Sequence, residues 1–328
     1  MTAAADEGRL RVLGVVEGDD AGPVFLARWM RPGKADREVV VQLLDPGSLP
    51  ADAVADRLAD ELPRLARLEE HGALVIERLL SVEGHRTLLR RHVPAVDLAT
   101  VLSAEELAPG LALTIGARVA RTLTAAHGLP GTGAMAHGAL GLDKVLVTAE
   151  GEVWVTGLGV ARARFAVEGA PPAADPEQVD PHAPPEGRSA GPTPAGDVHA
   201  LGALVLAALD GALRGPPATS PSAHRARLDA ALHPLARRLS GELSLLPDLL
   251  AVLMSYDPGQ RPTAADCADA LAALAEHAVG PSLADWAAEA LPPLVASVGS
   301  AARRRAVEGE VFGLELPVGP PPGPAPQH

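Results

Sequence analysis

The run AHGALGLDKVLVTAEGEVWVTGLGVARAR, residues 136–164, carries the strongest fold signal in this sequence. Within it, KVLVT and EVWVT are alternating apolar runs joined by Glu150 and Gly151, which predicts a β-hairpin. Helical spacing of apolar residues lies on both sides of the hairpin, at 111–127, 197–210, 222–239, 244–255, 264–278 and 282–298. The later part of the chain is therefore predicted to be mainly helical, with one strand pair near its start.

The first part of the chain has the opposite character. Three strand-like runs, LRVLGVV, PVFLARW and REVVVQLL, lie between Leu10 and Leu44 and are separated by turn residues. A helix with apolar residues on one face is predicted at 51–70, and Pro63 is expected to kink or restart it. Two further apolar runs, LVIERLL and HRTLLRRHV, complete a small unit of sheet and one helix.

Composition limits the classes of function. The 328-residue chain has 28 Lys and Arg against 41 Asp and Glu, and this net charge of -13 disfavours binding to nucleic acid. Three Trp, three Phe and one Tyr leave little for stacking on bases. The single cysteine, Cys267, predicts a buried apolar side chain. The start MTAAADEGRL lacks a signal-peptide pattern and no stretch is apolar enough for a membrane span, so we expect a cytoplasmic protein.

The order of elements and four motifs resemble the bacterial Ser/Thr protein kinase fold. Residues 136–164 resemble the His-Arg-Asp loop, the following Asn and the Asp-Phe-Gly motif, while PHAPPE at 181–186 resembles Ala-Pro-Glu. GDVHALGALVLAALDG at 196–211 resembles the helix opening Asp-Val-x-x-Leu-Gly, and DPGQRPTAADCADAL at 257–271 resembles the late Arg-Pro-Thr segment. The likeness covers about residues 9–275.

The resemblance implies a bilobal α+β fold. Its N-lobe, residues 1–94, would be a small antiparallel β-sheet with one helix, and its C-lobe, residues 95–279, would be larger and mainly α-helical. A C-terminal helical extension is expected at 280–310, followed by a Pro-rich disordered tail at 311–328.

The residues that perform phosphoryl transfer in the family are replaced in this chain. Gln42 stands at the position of the phosphate-pairing lysine, and Ala139 at that of the aspartate that orients the acceptor hydroxyl. Lys144 takes the place of a metal-binding Asn, and Gly157 that of the metal-binding Asp of Asp-Phe-Gly. The resemblance therefore implies a pseudokinase with no catalytic residue, no cofactor and no metal.

The nucleotide-facing part of the N-lobe departs from the family pattern in the same direction. In the glycine loop VVEGDDAGPV, Gly22 keeps the last glycine position, whereas Glu17 and Asp19 occupy earlier positions and would repel phosphates. Arg90 falls at the gatekeeper position, where a buried unpaired guanidinium would be costly. Either Arg90 turns to solvent or it pairs with a carboxylate, of which Glu61 is one candidate.

Positions that support the fold are retained. Glu61 matches the glutamate of the N-lobe helix, and without a lysine partner we expect a solvated carboxylate or an acceptor for an amide. By the resemblance, His137 is the retained histidine of the catalytic loop and Asp197 hydrogen-bonds the backbone of that loop. Glu186 and Arg261 match the pair that ties the Ala-Pro-Glu segment to the late helices, so the implied roles of all five residues are structural.

Three functions fit this pattern. The favoured hypothesis is a pseudokinase that binds another protein, such as an active kinase or a signalling complex, as an allosteric or scaffolding module. The alternatives are a divergent Ser/Thr kinase that still binds ATP, with Asp143, Asp97 or Glu61 recruited for metal, and a structural subunit of a larger assembly. Residues 159–186 contain no Ser, Thr or Tyr, which excludes phosphorylation of that segment. The helix that begins after Ser282 is expected to dock on the C-lobe or to bind a partner.

Overall fold

The computed structural model describes residues 8–19, 22–44, 51–131, 133–169, 183–187, 191–209, 211, 213, 217–311 and 313–319. Over these residues the chain forms a β-rich lobe followed by a larger, mainly helical lobe. The predicted bilobal α+β architecture is confirmed.

The N-lobe is a curved antiparallel sheet packed on one helix. The strands in this part of the chain are β1 (Arg9–Asp19), β2 (Gly22–Met30), β3 (Arg37–Leu43), β4 (Ala73–Leu74), β5 (Arg78–Val82), β6 (His85–Arg91) and β7 (Ala95–Asp97). Their order in the main sheet is β1, β2, β3, β6, β5. The interior is apolar and centres on Trp29, which is fully buried with Leu10, Val41 and Leu89. Alternation along each strand therefore directs one face to this core.

Helix α1 (Ala51–Leu65) packs against β5 and β6 of this sheet. It continues through Pro63, where the sequence predicted a kink or a restart. Pro63 lies in the last turn, so its missing N–H removes one hydrogen bond close to the helix end, and the chain then tightens into a 3₁₀ helix at Ala66–His71. The buried face of α1 includes Leu58 and Leu65.

The C-lobe is built around helix α3. Its helices are α2 (Leu98–Ala104), α3 (Pro109–His127), α4 (Val160–Glu168), α5 (Pro194–Ala208), α6 (Pro221–Arg238), α7 (Leu246–Leu253), α8 (Ala264–Glu276) and α9 (Leu283–Glu308). The predicted hairpin is β8 (Val145–Thr148) with β9 (Val153–Thr156), flanked in its sheet by β7 and β4. Among the helices of the described residues, none combines the length and the apolar character needed to cross a membrane.

A last strand, β10 (Glu315–Gly319), lies between β1 and β5 and closes the N-lobe sheet into a barrel. This corrects the prediction of a disordered tail from residue 311, because residues 315–319 are ordered in the sheet; residues 312 and 320–328 lie outside the described part. Val318 is buried in the barrel core, and its N–H donates to Gly8 O at 3.0 Å. Along a strand, the backbone N–H and C=O groups of successive residues face opposite neighbouring strands. The ring nitrogen of Pro317 therefore faces away from β1, and no backbone hydrogen bond to β1 is lost.

The packing of α3 gives a prediction with an internal control. A Cβ on Gly116 would lie 2.6 Å from Val205 Cγ2 and 3.3 Å from Leu271 Cδ1, so Gly116→Ala should overpack the core and cost about 1–3 kcal/mol in spite of better helix propensity. Gly299 of α9 has nothing within 4 Å of an added Cβ, so Gly299→Ala should stabilise by about 1 kcal/mol. Urea unfolding measures both; equal signs for the two variants would contradict this packing.

Candidate functional site

The cleft between the lobes holds the positions predicted to lack catalytic chemistry. From the N-lobe, β3 contributes Gln42 and β6 contributes Arg90. From the C-lobe, the loop after α3 contributes Ala139 and Lys144, and the residue after β9 is Gly157.

Asp197 fixes the loop that precedes β8. Its carboxylate is buried at the start of α5 and accepts the backbone N–H of His137 at 2.7 Å and that of Gly138 at 2.8 Å. A third contact, at 2.8 Å, comes from His127 Nε2. Gly138 has φ of 71°, and a Cβ there would lie 2.5 Å from Pro192 Cβ, so only glycine fits this turn. The two backbone contacts of Asp197 are of the kind that the resemblance implies, whereas the contact with His127 was not predicted.

His137 joins the loop to the end of β9. The ring is fully buried, with Nε2 2.9 Å from Thr156 O and the backbone N–H of Ala139 3.3 Å from Nδ1. These contacts fit a neutral ring in which Nε2 donates and Nδ1 accepts. Burial lowers the pKa of His137, while the Asp197 carboxylate and the bond to Thr156 oppose this shift. His137 is therefore a neutral connecting group.

The C-lobe positions that match catalytic residues of the family carry no acid–base group and no carboxylate that could bind a metal. Ala139 offers only an exposed methyl group, and Gly157 has no side chain and a φ of 89°. The side chain of Lys144 runs past Gly157, since a Cβ there would lie 3.6 Å from Lys144 Cδ, and its ammonium is 2.8 Å from the Asp143 carboxylate. A cation and a bare backbone thus occupy the positions where the resemblance places metal ligands.

Glu61 is buried, which corrects the prediction that it is solvated or bonded to an amide. Its side chain is 6% exposed and is paired with two arginines, Arg64 Nη1 at 2.8 Å and Arg162 Nε at 3.3 Å. Arg162 lies on α4, a short helix that the sequence did not predict and that packs directly on α1. The carboxylate is therefore neutralised by guanidinium groups, and the neutral Gln42 makes no ion pair with it.

The same two arginines tie α1 to the C-lobe. Arg64 donates to Pro130 O and Gly133 O, each at 3.1 Å. Arg162 donates to Ala134 O at 2.9 Å. Charge-assisted hydrogen bonds of this kind are stronger than neutral ones, so the Glu61 cluster holds α1 against the loop before His137.

Arg90 makes a contact that the sequence did not suggest. Its Nη1 donates to Thr156 Oγ1 at 2.5 Å, which joins β6 of the N-lobe to the end of β9. Glu61, the carboxylate considered as its partner, is held by the two other arginines. Gln42 is buried in β3 opposite Val24 of β2.

The glycine loop is described only in part. Its strands β1 and β2 meet at the pair Asp19 and Gly22, where Gly22 has φ of 132°. The side chains of Glu17 and Asp19 lie outside the described part, as do residues 20 and 21. Repulsion of phosphate by this loop therefore stays a prediction.

Glu186 and Arg261 form a bidentate pair with both N–O distances at 2.7 Å. The Arg261 side chain is fully buried and also donates to Ser255 O and Ala195 O, each at 2.9 Å. A buried guanidinium is tolerated only when its donors are satisfied in this way. The pair joins the segment before α5 to the segment before α8.

Each carboxylate considered as an alternative metal ligand has another role. Asp143 pairs with Lys144, and Glu61 with Arg64 and Arg162. Asp97 caps α2 by accepting the N–H and the hydroxyl of Thr100, both at 2.8 Å. Across the described ranges, no group of three or more His, Cys, Asp or Glu side chains is placed to hold a metal ion.

The structure of this chain is similar to solved structures of a bacterial kinase domain. The kinase domain of PknI from Mycobacterium tuberculosis is 19% identical, covers 83% of this chain and 98% of its own length, and has a TM-score of 0.56. A double-mutant form of that domain is 19% identical, covers 84% of this chain and 100% of its own, and has a TM-score of 0.58. No described protein family and no curated protein matches the sequence. The chain therefore has the bilobal fold of bacterial Ser/Thr protein kinases.

Removing the charge of Glu61 should destabilise the protein. Glu61→Gln leaves two guanidinium groups without their carboxylate, and breaking a largely buried pair costs about 3 kcal/mol. The control is Asp60→Asn on the same helix, where the side chain is 75% exposed and 4.0 Å from Arg57, so little change is expected. Urea unfolding compares the two; equal losses of stability would contradict the described cluster.

Stability should fall in mild acid. Burial lowers the pKa of His137, His92 and His224 below the ordinary histidine value of about 6.5, so the unfolded chain binds protons more readily than the folded one. The free energy of unfolding should be level at neutral pH and decline as the pH falls below about 6.5, with a slope of up to about 1.4 kcal/mol per pH unit for each histidine.

His137→Gln separates the contribution of this histidine. The amide can still donate to Thr156 O but takes up no proton, so the variant should lose stability less steeply below about pH 6.5 than the wild type. Urea titrations on both sides of this pH give the two slopes. A variant slope equal to that of the wild type would contradict the assignment of His137 as a buried neutral ring.

Proposed function

We propose that this protein is a pseudokinase that acts in bacterial signalling as a protein-binding scaffold or allosteric module, without phosphoryl transfer. The observation that carries the proposal is the state of the cleft: Lys144 and Gly157 stand at the metal positions, and the carboxylates Glu61, Asp97 and Asp143 are engaged by protein groups. The kinase-like fold supports the proposed role as a scaffold. The proposed absence of phosphoryl transfer rests on the residues that this chain carries at the catalytic positions.

Phosphoryl transfer depends on positioning and on neutralisation of charge. The triphosphate needs a divalent cation held by carboxylate or amide oxygens, together with a lysine that pairs with its phosphates and a base near the acceptor hydroxyl. In this cleft the corresponding groups are an ammonium, a glycine, the amide of Gln42 and the methyl of Ala139. An ammonium next to a divalent cation would repel it, so metal-bound ATP lacks its main contacts.

The contacts that shape the lobes do not depend on catalysis. Asp197 holds the loop at His137, and Arg261 holds Glu186, with buried charges that are fully paired. Breaking one partner of such a pair is strongly destabilising, so these contacts maintain one defined surface. A module that binds another protein requires a defined surface and needs no catalytic group.

Nucleotide binding is tested directly with the full chain. Thermal unfolding is followed with ATP and Mg²⁺, and separately with ATP and EDTA, while transfer of labelled γ-phosphate is measured in parallel. We expect no labelling and no saturable rise in midpoint, because a ligand stabilises only in proportion to its occupancy of the folded state. A Mg²⁺-dependent rise that disappears in Asp143→Asn or Asp97→Asn would establish the divergent kinase instead.

The binding role is tested by reconstitution. Proteins captured on the chain from its source cells are purified singly and mixed with it again, and the complex is measured by size-exclusion chromatography and calorimetry. We expect a chain that is folded alone and binds its partner reversibly. A chain that can be isolated only inside a fixed assembly would favour the structural-subunit alternative.

A further inference from the structure

The chain after the C-lobe contacts both lobes. We call residues Leu283–Gly319, which form α9 and β10, the C-terminal arm. We propose that this arm sets the angle between the two lobes in the free protein, so that the width of the cleft is fixed without any ligand. The inference goes beyond the proposed function, because it holds whether or not the cleft binds nucleotide.

The first half of α9 is anchored to the C-lobe. Leu283, Ala287 and Leu291 are buried in the same apolar cluster as α3, α5 and α8. Trp286 Nε1 donates to Glu105 Oε1 at 2.9 Å. The helix start also lies tightly against the β8–β9 turn, since a Cβ on Gly151 would be 2.9 Å from Ala284 Cα. This half of the arm therefore belongs to the C-lobe core.

The second half of α9 is anchored to the N-lobe. Ala302 and Ala306 are buried, and α9 packs along β1. The approach is close because both surfaces are small there: a Cβ on Gly14 would lie 3.1 Å from Ala302 Cβ. Arg305 Nε donates to Val15 O at 2.9 Å. The same helix thus touches the core of one lobe and the first strand of the other.

The end of the arm, β10 and the two residues before it, is joined to the N-lobe by backbone hydrogen bonds. Val12 donates to Leu314 O at 3.0 Å, and Gly313 donates to Val12 O at 2.8 Å. Glu315 pairs with Arg11 at 2.7 Å and with Arg9 at 3.3 Å on the outer surface. Burial of Val318 in the barrel adds an apolar contact that an isolated exposed strand would lack.

The geometry makes α9 a strut between the lobes. Its 26 residues span about 39 Å at 1.5 Å per residue. Pro292 and Pro293 lie between the two anchors and remove two helix hydrogen bonds, so any bend of the arm is expected there. On the cleft side, Arg90 and Thr156 join the lobes at a separate place. Rotation of one lobe against the other would therefore have to bend α9 at these prolines, break the arm contacts or break the cleft contact.

The angle between the lobes is measured with two spin labels. Lys34→Cys in the N-lobe and Asp269→Cys on α8 are exposed positions, and the distance between the labels is read by double electron–electron resonance. Cys267 can stay, because it is buried and burial raises the pKa of its thiol to about 12, which keeps it unreactive. For the unmodified arm we expect one narrow distance distribution, the same with and without ATP.

Gly14→Val tests the arm. Valine suits a strand, but its side chain would push α9 away from β1 at Ala302. The amide of Val12, which donates to Leu314 O, should then exchange with deuterium about tenfold faster or more, and the distance distribution should broaden. Gly299→Ala is the control, since it lies on the same helix with nothing within 4 Å, and it should neither speed the exchange of Val12 nor broaden the distance distribution.

A charge swap provides the second variant. Glu315→Lys places a cation against Arg11 and Arg9 and should weaken β10, whereas Arg11→Glu combined with Glu315→Lys should restore protection of Val12 and the narrow distribution. Faster exchange at Val12 with an unchanged distance distribution would overturn the proposal. It would also be overturned if neither Gly14→Val nor Glu315→Lys speeds this exchange, because the arm would then not be held by these contacts.

Discussion

A buried carboxylate on helix α5 organises the whole cleft. Asp197 is 1% exposed, and such a charge is tolerated in an apolar interior only because N–H donors from the loop and from His127 surround it. Asp197 fixes the backbone at His137 by hydrogen bonds, and the His137 ring is hydrogen-bonded to Thr156 O at the end of β9. The hydroxyl of Thr156 in turn accepts a hydrogen bond from Arg90 of the N-lobe. The contacts that join the two lobes on the cleft side can be traced back to this one group.

The charged side chains described in the cleft are paired with other groups of the chain. The carboxylate of Glu61 is shared between Arg64 and Arg162, and the ammonium of Lys144 contacts Asp143. Because each charge in these pairs is largely neutralised by its partner, the pairs exert little attraction on a polyanion or a divalent cation. At the positions that match catalytic residues of the family, Lys144 therefore contacts a carboxylate of this chain, whereas Ala139 and Gly157 present no polar side chain.

Much of the fold could be predicted from the sequence because the sequence patterns of its helices and strands are local. The hairpin at 136–164 and the helical periods matched the observed elements, since alternation and 3.6-residue spacing reflect contacts made by the element itself. The missed features depend on distant partners. Arg162 and Glu61 form an ion pair although 101 positions separate them in the sequence, and no local sequence pattern predicts this pair. β10 is only five residues long, contains Pro317 and adjoins a Pro-rich end, yet alternation of Leu316 and Val318 was a usable sign.

Closure of the N-lobe barrel imposes an order on biosynthesis. Arg9 and Glu315 are bonded neighbours although 306 positions separate them, so the first strand emerges from the ribosome long before its neighbour exists. Until then β1 and β5 are nascent edges with unpaired amides, whereas the C-lobe helices, whose backbone hydrogen bonds are local, can form first. The N-lobe strands β1 to β6 are translated before the C-lobe, yet their sheet can be completed only after the C-lobe has been made.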